Sequence, residues 1–170
     1  MGNLYLVGMM GSGKTVTGRK LAGMLGYSFI DIDERIQEKA RRTIAEIFAQ
    51  SGEPSFRQME LEMLAEVSGS SQKVIATGGG AILKPENISR MRTTGKIIYL
   101  ETSLDVLWQR VRGRDERPLL KTDHPKETLA KLFEARRGIY EKEADVTVGT
   151  DGQTAEAVAE KIKILLEKKH

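Results

Sequence analysis

Leu4-Tyr5-Leu6-Val7-Gly8-Met9-Met10-Gly11-Ser12-Gly13-Lys14-Thr15 decides how the chain is read. An apolar strand pattern, Leu4–Val7, runs directly into glycine, four residues, and then Gly-Lys-Thr, the spacing of a phosphate-binding loop. The additional Gly11 lets the backbone curl so that successive N–H groups of Gly11, Ser12 and Gly13 point inward at anionic oxygens. A helix opening within the loop adds its positive end. Lys14 is placed to reach β- and γ-phosphates as a point charge, and the Thr15 hydroxyl to ligate Mg²⁺. The competing reading, a glycine-rich turn that binds nothing, loses because motif and context agree.

Outward from this loop, short apolar runs alternate with helical periodicity. Strands are expected at Leu4–Val7, Ser28–Ile32, Val74–Ala76, Ile97–Leu100 and Val146–Val148. Helices are expected at Thr15–Leu25, Thr43–Phe48, Phe56–Val67, Pro85–Arg92, Leu104–Arg112, Lys126–Lys142 and Thr154–Lys168. The break between the second and third of these is placed at Ser51-Gly52-Glu53-Pro54. Strands apolar along almost every residue fit a parallel sheet covered on both faces, hence an α/β fold of three layers. Residues 113–125 carry charges, Gly and Pro without apolar periodicity and read as a mobile loop. With 170 residues, the whole of 1–170 is expected to form one domain.

Composition removes several chemistries. There is no Cys, and the two histidines are His124 and His170, which excludes disulfides, thiol nucleophiles and multi-histidine metal sites. No apolar run is long enough for a membrane span, and the N-terminus lacks a secretory pattern, so a cytoplasmic location is expected. The net charge of +3 hints at nucleic acid. However, residues 161–170 hold four of the 27 basic and one of the 24 acidic side chains, leaving 23 of each sign elsewhere. The excess is a tail, and no nucleic-acid partner is expected. A guanine-reading Asn-Lys-x-Asp is absent, because Asn3 and Asn87 are the only asparagines and neither precedes lysine. What remains is a small kinase or an ATP-binding module.

Ligands of open α/β sheets sit beyond the carboxyl ends of the strands. There the second strand delivers Asp31 and Asp33: one could hold Mg²⁺ through water while the other accepts a hydrogen bond from a substrate hydroxyl. The plainer alternative has Asp33 capping a helix from Glu34. The third strand ends in Thr77-Gly78-Gly79-Gly80, bare backbone suited to a closely packed ligand. Arg57 and Glu60 share a helix face, and spacing alone favours a surface ion pair over a carboxylate grip. Arg110, Arg112, Arg114 and Arg117 suit either a solvated face or a lid closing on ATP. Nothing in the spacing selects between Arg136 and Arg137. Trp108 and the methionines read as core.

Taken together, these motifs resemble the shikimate kinases over nearly the whole chain. The match comprises the phosphate loop, Asp31-x-Asp33, Phe56-Arg57-x-x-Glu60, Gly78-Gly79-Gly80, Arg117-Pro118-Leu119-Leu120 and Arg136-x-x-x-Tyr140, in that order. The resemblance implies a five-stranded parallel sheet of the nucleoside-monophosphate-kinase type, a lid at about 113–125 and a substrate-binding helical segment at about 33–62. It also implies a monomer, with Mg²⁺ and ATP, phosphorylating the 3-hydroxyl of shikimate. Carried over residue by residue, Asp33 is the base for that hydroxyl, and Asp31 supports the metal through water beside Thr15. Arg57 and Arg136 clamp the carboxylate, and Gly78, Gly79 and Gly80 meet the ring. Lys14 and Arg117 serve the phosphates, Arg110 flanks adenine, and Gln153 lies in the adenine loop Thr150–Thr154. Val16 departs from the family's usual hydroxyl at that position, leaving its backbone N–H for the α-phosphate. The alternatives are a gluconate-type kinase on the same fold and a non-catalytic ATP-binding module.

Overall fold

The structure is a computed structural model describing residues 2–114 and 117–168. Residues 115 and 116 of the expected lid, and Lys169 and His170 of the basic tail, lie outside the described residues.

The order is β1 (Asn3–Val7), α1 (Lys14–Leu25), β2 (Ser28–Asp31), α2 (Ile32–Ala40), α3 (Ile44–Val67), β3 (Lys73–Ala76), α4 (Pro85–Thr94), β4 (Gly95–Glu101), α5 (Leu104–Val111), α6 (Pro125–Glu143), β5 (Val146–Gly149) and α7 (Ala155–Glu167). Short 3-10 turns occupy Ala81–Leu83 and Pro118–Leu120. All strand pairings are parallel, in the order β2-β3-β1-β4-β5. Placing β1 at the centre puts its following loop between the carboxyl ends of β3 and β4, where an open α/β sheet holds ligands.

The period-2 alternation of β1 divides the core. Leu4 and Leu6 join Leu21, Val74, Ile98, Val148, Val158 and Ile162 under α1 and α7. Tyr5 and Val7 face the opposite way, into a core with Ile75, Ile97, Tyr99, Met63, Leu64, Leu107, Leu129 and Tyr140 beneath α3–α6. Trp108 packs against this second core, as expected from its sequence context. The inner strands β1, β3 and β4 are thus covered on both faces, which is why their sequences read as almost unbroken apolar runs, whereas the edge strands β2 and β5 stay partly open. At the amino end of β1 the Tyr5 hydroxyl meets Ser68 Oγ at 2.9 Å and Thr94 Oγ1 at 2.6 Å, tying β1 to the ends of α3 and α4.

Two expectations need correction. Ile32 does not extend β2; it opens α2, because Asp31 caps that helix by accepting from the amides of Asp33 and Glu34. The interruption between the two expected helices shrinks to one residue. Gly52 alone is non-helical (φ 79, ψ 168), and Glu53 and Pro54 already belong to the second segment. Proline is tolerated there because the first turn of a helix leaves its N–H groups unpaired in any case. The first segment opens at Thr43, whose hydroxyl accepts from the Glu46 amide while the Glu46 carboxylate accepts from the Thr43 amide.

Candidate active site

The loop Gly8–Gly13 needs its glycines for a local reason. Gly11 and Gly13 adopt φ of 81° and 89°, a region costly for residues with a Cβ. Lys14 folds its ammonium onto the loop, donating to the carbonyls of Gly8 at 2.8 Å and Met9 at 2.9 Å. Burial pulls the Lys14 pKa down to about 8, assisted by Arg117 and opposed by Asp33 and Asp31. The Thr15 hydroxyl donates to Asp31 Oδ2 at 2.5 Å. The other Asp31 oxygen is engaged in capping α2. Asp31 thus joins the phosphate loop to the start of the acceptor segment.

A cleft of about 380 Å³ opens over the loop, lined by residues 11–17, Asp31, Asp33, Gly78, Gly79, Arg110, Arg114, Arg117, Thr150 and Gln153, among others. Arg110 is anchored by donating to the Gly11 carbonyl at 2.9 Å. Gln153 donates to Gly149 O at 3.0 Å, and the buried Thr150 hydroxyl meets that of Thr102. Val16 is 58% exposed in this cleft and contributes no side-chain polar group. Arg112 lies outside it as the C-terminal cap of α5. Of the four clustered arginines, three therefore face the cleft.

A smaller pocket of about 70 Å³ adjoins it, bounded by Arg57, Glu60, Arg136, Gly80, apolar Phe48, Phe56 and Leu119, and others. It shares Asp33, Gly78 and Gly79 with the cleft. Asp33 therefore stands where the two spaces meet. It does not cap α2; Asp31 does, which leaves the Asp33 carboxylate free to turn inward. Its Oδ1 is buried without a hydrogen-bond partner among the described residues. Burial pushes its pKa up, with Asp31 adding to the rise and Lys14, Arg117 and Arg57 opposing it.

The Arg57–Glu60 pair is not a surface ion pair. The side chains are 11% and 1% exposed, and Arg57 Nη1 donates to Glu60 Oε1 at 3.1 Å. Arg57 also donates to Glu53 Oε1, at 3.1 Å from Nη2. That partner escapes notice when Glu53 is assigned to a break; once the helix restarts at Glu53, it sits one turn before Arg57. Packing also separates Arg136 from Arg137. Arg136 is 4% exposed and lines the pocket, whereas Arg137 faces solvent beside Glu141.

The triple glycine has a steric cause that bare spacing does not reveal. None of the three is left-handed, so conformational freedom is not the reason. A Cβ on Gly78 would overlap the Glu60 carboxylate, one on Gly80 would overlap the Arg57 guanidinium, and one on Gly79 would lie 3.3 Å from Arg136 Nη1. The missing side chains make room for the protein's own charged groups. Gly80→Ala is accordingly expected to displace the Arg57 guanidinium and raise the KM of a carboxylate-bearing acceptor by about tenfold. The nucleotide KM should stay unchanged; equal effects on both substrates would contradict this reading.

Burial raises the Glu60 pKa to about 7, although Arg57 works in the opposite direction. A carboxyl whose folded pKa exceeds its unfolded value holds its proton more tightly when folded. Its stabilising contribution is complete below about pH 4.5 and is lost as pH rises through about 7. Chemical denaturation of the ligand-free protein should show stability falling across this window by about 1–3 kcal/mol from this group. Glu60→Gln should flatten the profile, and an unchanged slope in that variant would refute the assignment.

Thr15 and Asp31 offer hard oxygen donors side by side, and among the described residues no cluster of three or more His, Cys, Asp or Glu forms a metal cage. Such a donor set fits Mg²⁺, which usually keeps several waters and takes other ligands from phosphates.

Comparison with known proteins identifies the chain's relatives. The shikimate kinase family model matches residues 10–167. A shikimate kinase of Thermodesulfovibrio yellowstonii is 42% identical over 162 residues, covering 95% of this chain and 93% of the relative. One from Cereibacter sphaeroides is 46% identical over 160 residues, covering 94% and 80% respectively. Among solved structures, shikimate kinase from Acinetobacter baumannii in complex with shikimate superposes with a TM-score of 0.97 at 38% identity, covering 99% of this chain and 94% of that one. A deoxyadenosine kinase from M. mycoides, at 19% identity and a TM-score of 0.59, shares the fold alone.

Proposed function

The chain belongs to the shikimate kinase family, and from that premise and its own geometry we propose that it transfers the γ-phosphoryl group of ATP to the 3-hydroxyl of shikimate. The observation that carries this reading is Asp33: a buried carboxylate oxygen, unpartnered among the described residues, at the junction of the phosphate cleft and a pocket holding two arginines. A buried acceptor without a donor is costly, and a substrate hydroxyl placed between the two spaces supplies the donor.

Phosphoryl transfer asks the protein mainly for alignment and charge neutralisation. Arg57 and Arg136 fix the acid through its carboxylate, with Glu53 and Glu60 holding the Arg57 fork in orientation. The free amides of the Gly78–Gly80 turn serve the ring hydroxyls. Asp33 orients the 3-hydroxyl and takes its proton; a carboxyl with a raised pKa is the stronger base once ionised. Lys14 exchanges two carbonyl acceptors for phosphate oxygens, and Arg117 neutralises charge on the transferring group. Arg110 and Gln153 line the side of the cleft assigned to adenine. Thr15, and Asp31 through water, would hold Mg²⁺, which would supply neutralisation of phosphate charge.

We read 1–170 as one kinase domain, with about 33–62 as its substrate-binding segment and about 113–125 as a lid. Pro118 and Leu119 of the lid line the acceptor pocket, so closure and acceptor binding act together. We read the enzyme as a monomer and place it in the cytoplasm, where ATP is supplied. No helix among the described residues is long and apolar enough to cross a membrane. Phe48, Phe56 and Leu119 favour a ring with an apolar face over the fully hydroxylated chain of gluconate. The test is ADP release with shikimate, gluconate, nucleoside monophosphates or no acceptor. Release with shikimate alone is expected, and release independent of shikimate would refute the assignment.

A further inference from the structure

Tyr140 ends the last of the motifs singled out above, yet the reaction as described gives it nothing to do. It is completely buried, one helical turn beyond Arg136 on the same face of α6. Its hydroxyl donates to the carbonyl of Gly79, and its ring stacks on Tyr99 with centroids 5.1 Å apart and planes inclined by 18°. Both flanking carbonyls have local partners: Gly78 O accepts from the Ala81 amide and Gly80 O from the Leu83 amide, each at 3.1 Å. Gly79 O is therefore the one carbonyl of the turn whose partner comes from a distant element. The glycine amides themselves donate to no protein acceptor among the described residues. The same turn rests on the phosphate loop, with the position of a Gly79 Cβ 3.5 Å from both Gly8 O and Met10 N.

We propose that Tyr140 is a positioning residue that sets the register of the Gly78–Gly80 amides against the Arg136 guanidinium. A peptide plane carries its carbonyl and the next amide together, so fixing Gly79 O also fixes the direction of the Gly80 N–H. Tyr140 and Arg136 share one rigid helical turn, so the hydroxyl holds the turn that meets the ring at a set distance from the group that meets the carboxylate. The stack on Tyr99 prevents the phenol from following a displaced turn. Acceptor geometry thus depends on one hydroxyl that touches no substrate. This role rests on the acceptor reading given above.

Tyr140→Phe keeps the ring, its stack and its volume while removing the hydroxyl. Expected is a rise in shikimate KM of about tenfold with ATP KM within about twofold of wild type. The melting temperature should fall by no more than about a few degrees, the cost of leaving the Gly79 carbonyl without its donor. Combined with Arg136→Lys, the two losses should be clearly less than multiplicative, because each variant breaks the same register. Wild-type kinetics in Tyr140→Phe, or a loss shared equally by both substrates, would overturn the positioning role. Multiplicative losses in the double variant would overturn the coupling to Arg136. Wild-type protein releasing no ADP with shikimate would instead strike the functional reading, and this inference with it.

Discussion

Asp33→Asn is expected to lower turnover by about 10²–10⁴-fold, the range for losing a positioned general base. Nucleotide affinity should change little, since the phosphate loop, Lys14 and Arg110 hold ATP without this side chain. The amide remains able to accept a hydrogen bond from the substrate hydroxyl, so shikimate KM should rise only modestly while kcat falls. The variant should also be no less stable than its parent: burial and the nearby Asp31 both disfavour the ionised carboxylate. A neutral amide relieves that penalty. Steady-state kinetics, nucleotide titration and thermal denaturation separate these effects. The wild-type rate should have an acid limb above the ordinary aspartate range, since the base must lose its proton to act and its pKa is raised. Wild-type turnover in Asp33→Asn would remove the proposed base.

Arg57→Ala is expected to act on both binding and stability. Shikimate KM should rise by about 10²-fold, with kcat also falling because carboxylate binding positions the hydroxyl at a distance. ATP KM should hold. The protein should lose about 1–3 kcal/mol, because Glu60 is left buried without its cation. That loss should be smaller at pH 5, where Glu60 holds its proton, than at pH 8. Arg57→Lys should recover only part of the binding, since a point charge cannot span Glu53, Glu60 and a substrate carboxylate as a planar fork does. Shikimate KM unchanged in Arg57→Ala would show that the guanidinium serves only the helix.

Features of this chain are legible in its sequence in proportion to how local they are. The phosphate loop was legible because strand, glycines, lysine and hydroxyl are contiguous, and backbone sterics alone bring them together. The end of the first helix at Leu25 is legible for the same reason, since Gly26 closes it in the αL conformation. Asp31 and Asp33 were recognised as a pair, but their division of labour was not. Either could cap a helix, and the choice depends on whether that helix begins at residue 32 or 34. Glu53 was missed because Gly52 and Pro54 on either side resemble a turn, although the helix absorbs the proline in its first turn. Tyr140 was visible as part of a motif without a role, since its acceptor is 61 residues away.

The sequence by itself determined the α/β class, the phosphate site and the set of charged residues available for an acceptor. These follow from periodicity and short spacings, which covalent geometry and backbone sterics translate directly into structure. Only the tertiary structure decided which of those charges are withdrawn from water. Burial separates Arg136 from Arg137, converts Arg57 and Glu60 from a surface pair into an enclosed one, and leaves Asp33 Oδ1 without a partner among the described residues. It also explains three consecutive glycines by the side chains of α3 and α6 that occupy their space. The physical reason is that desolvation arises from atoms packed in from every side. The acceptor pocket draws on α2, α3, the turn after β3, the Pro118–Leu120 turn and α6, whose proximity no local spacing records.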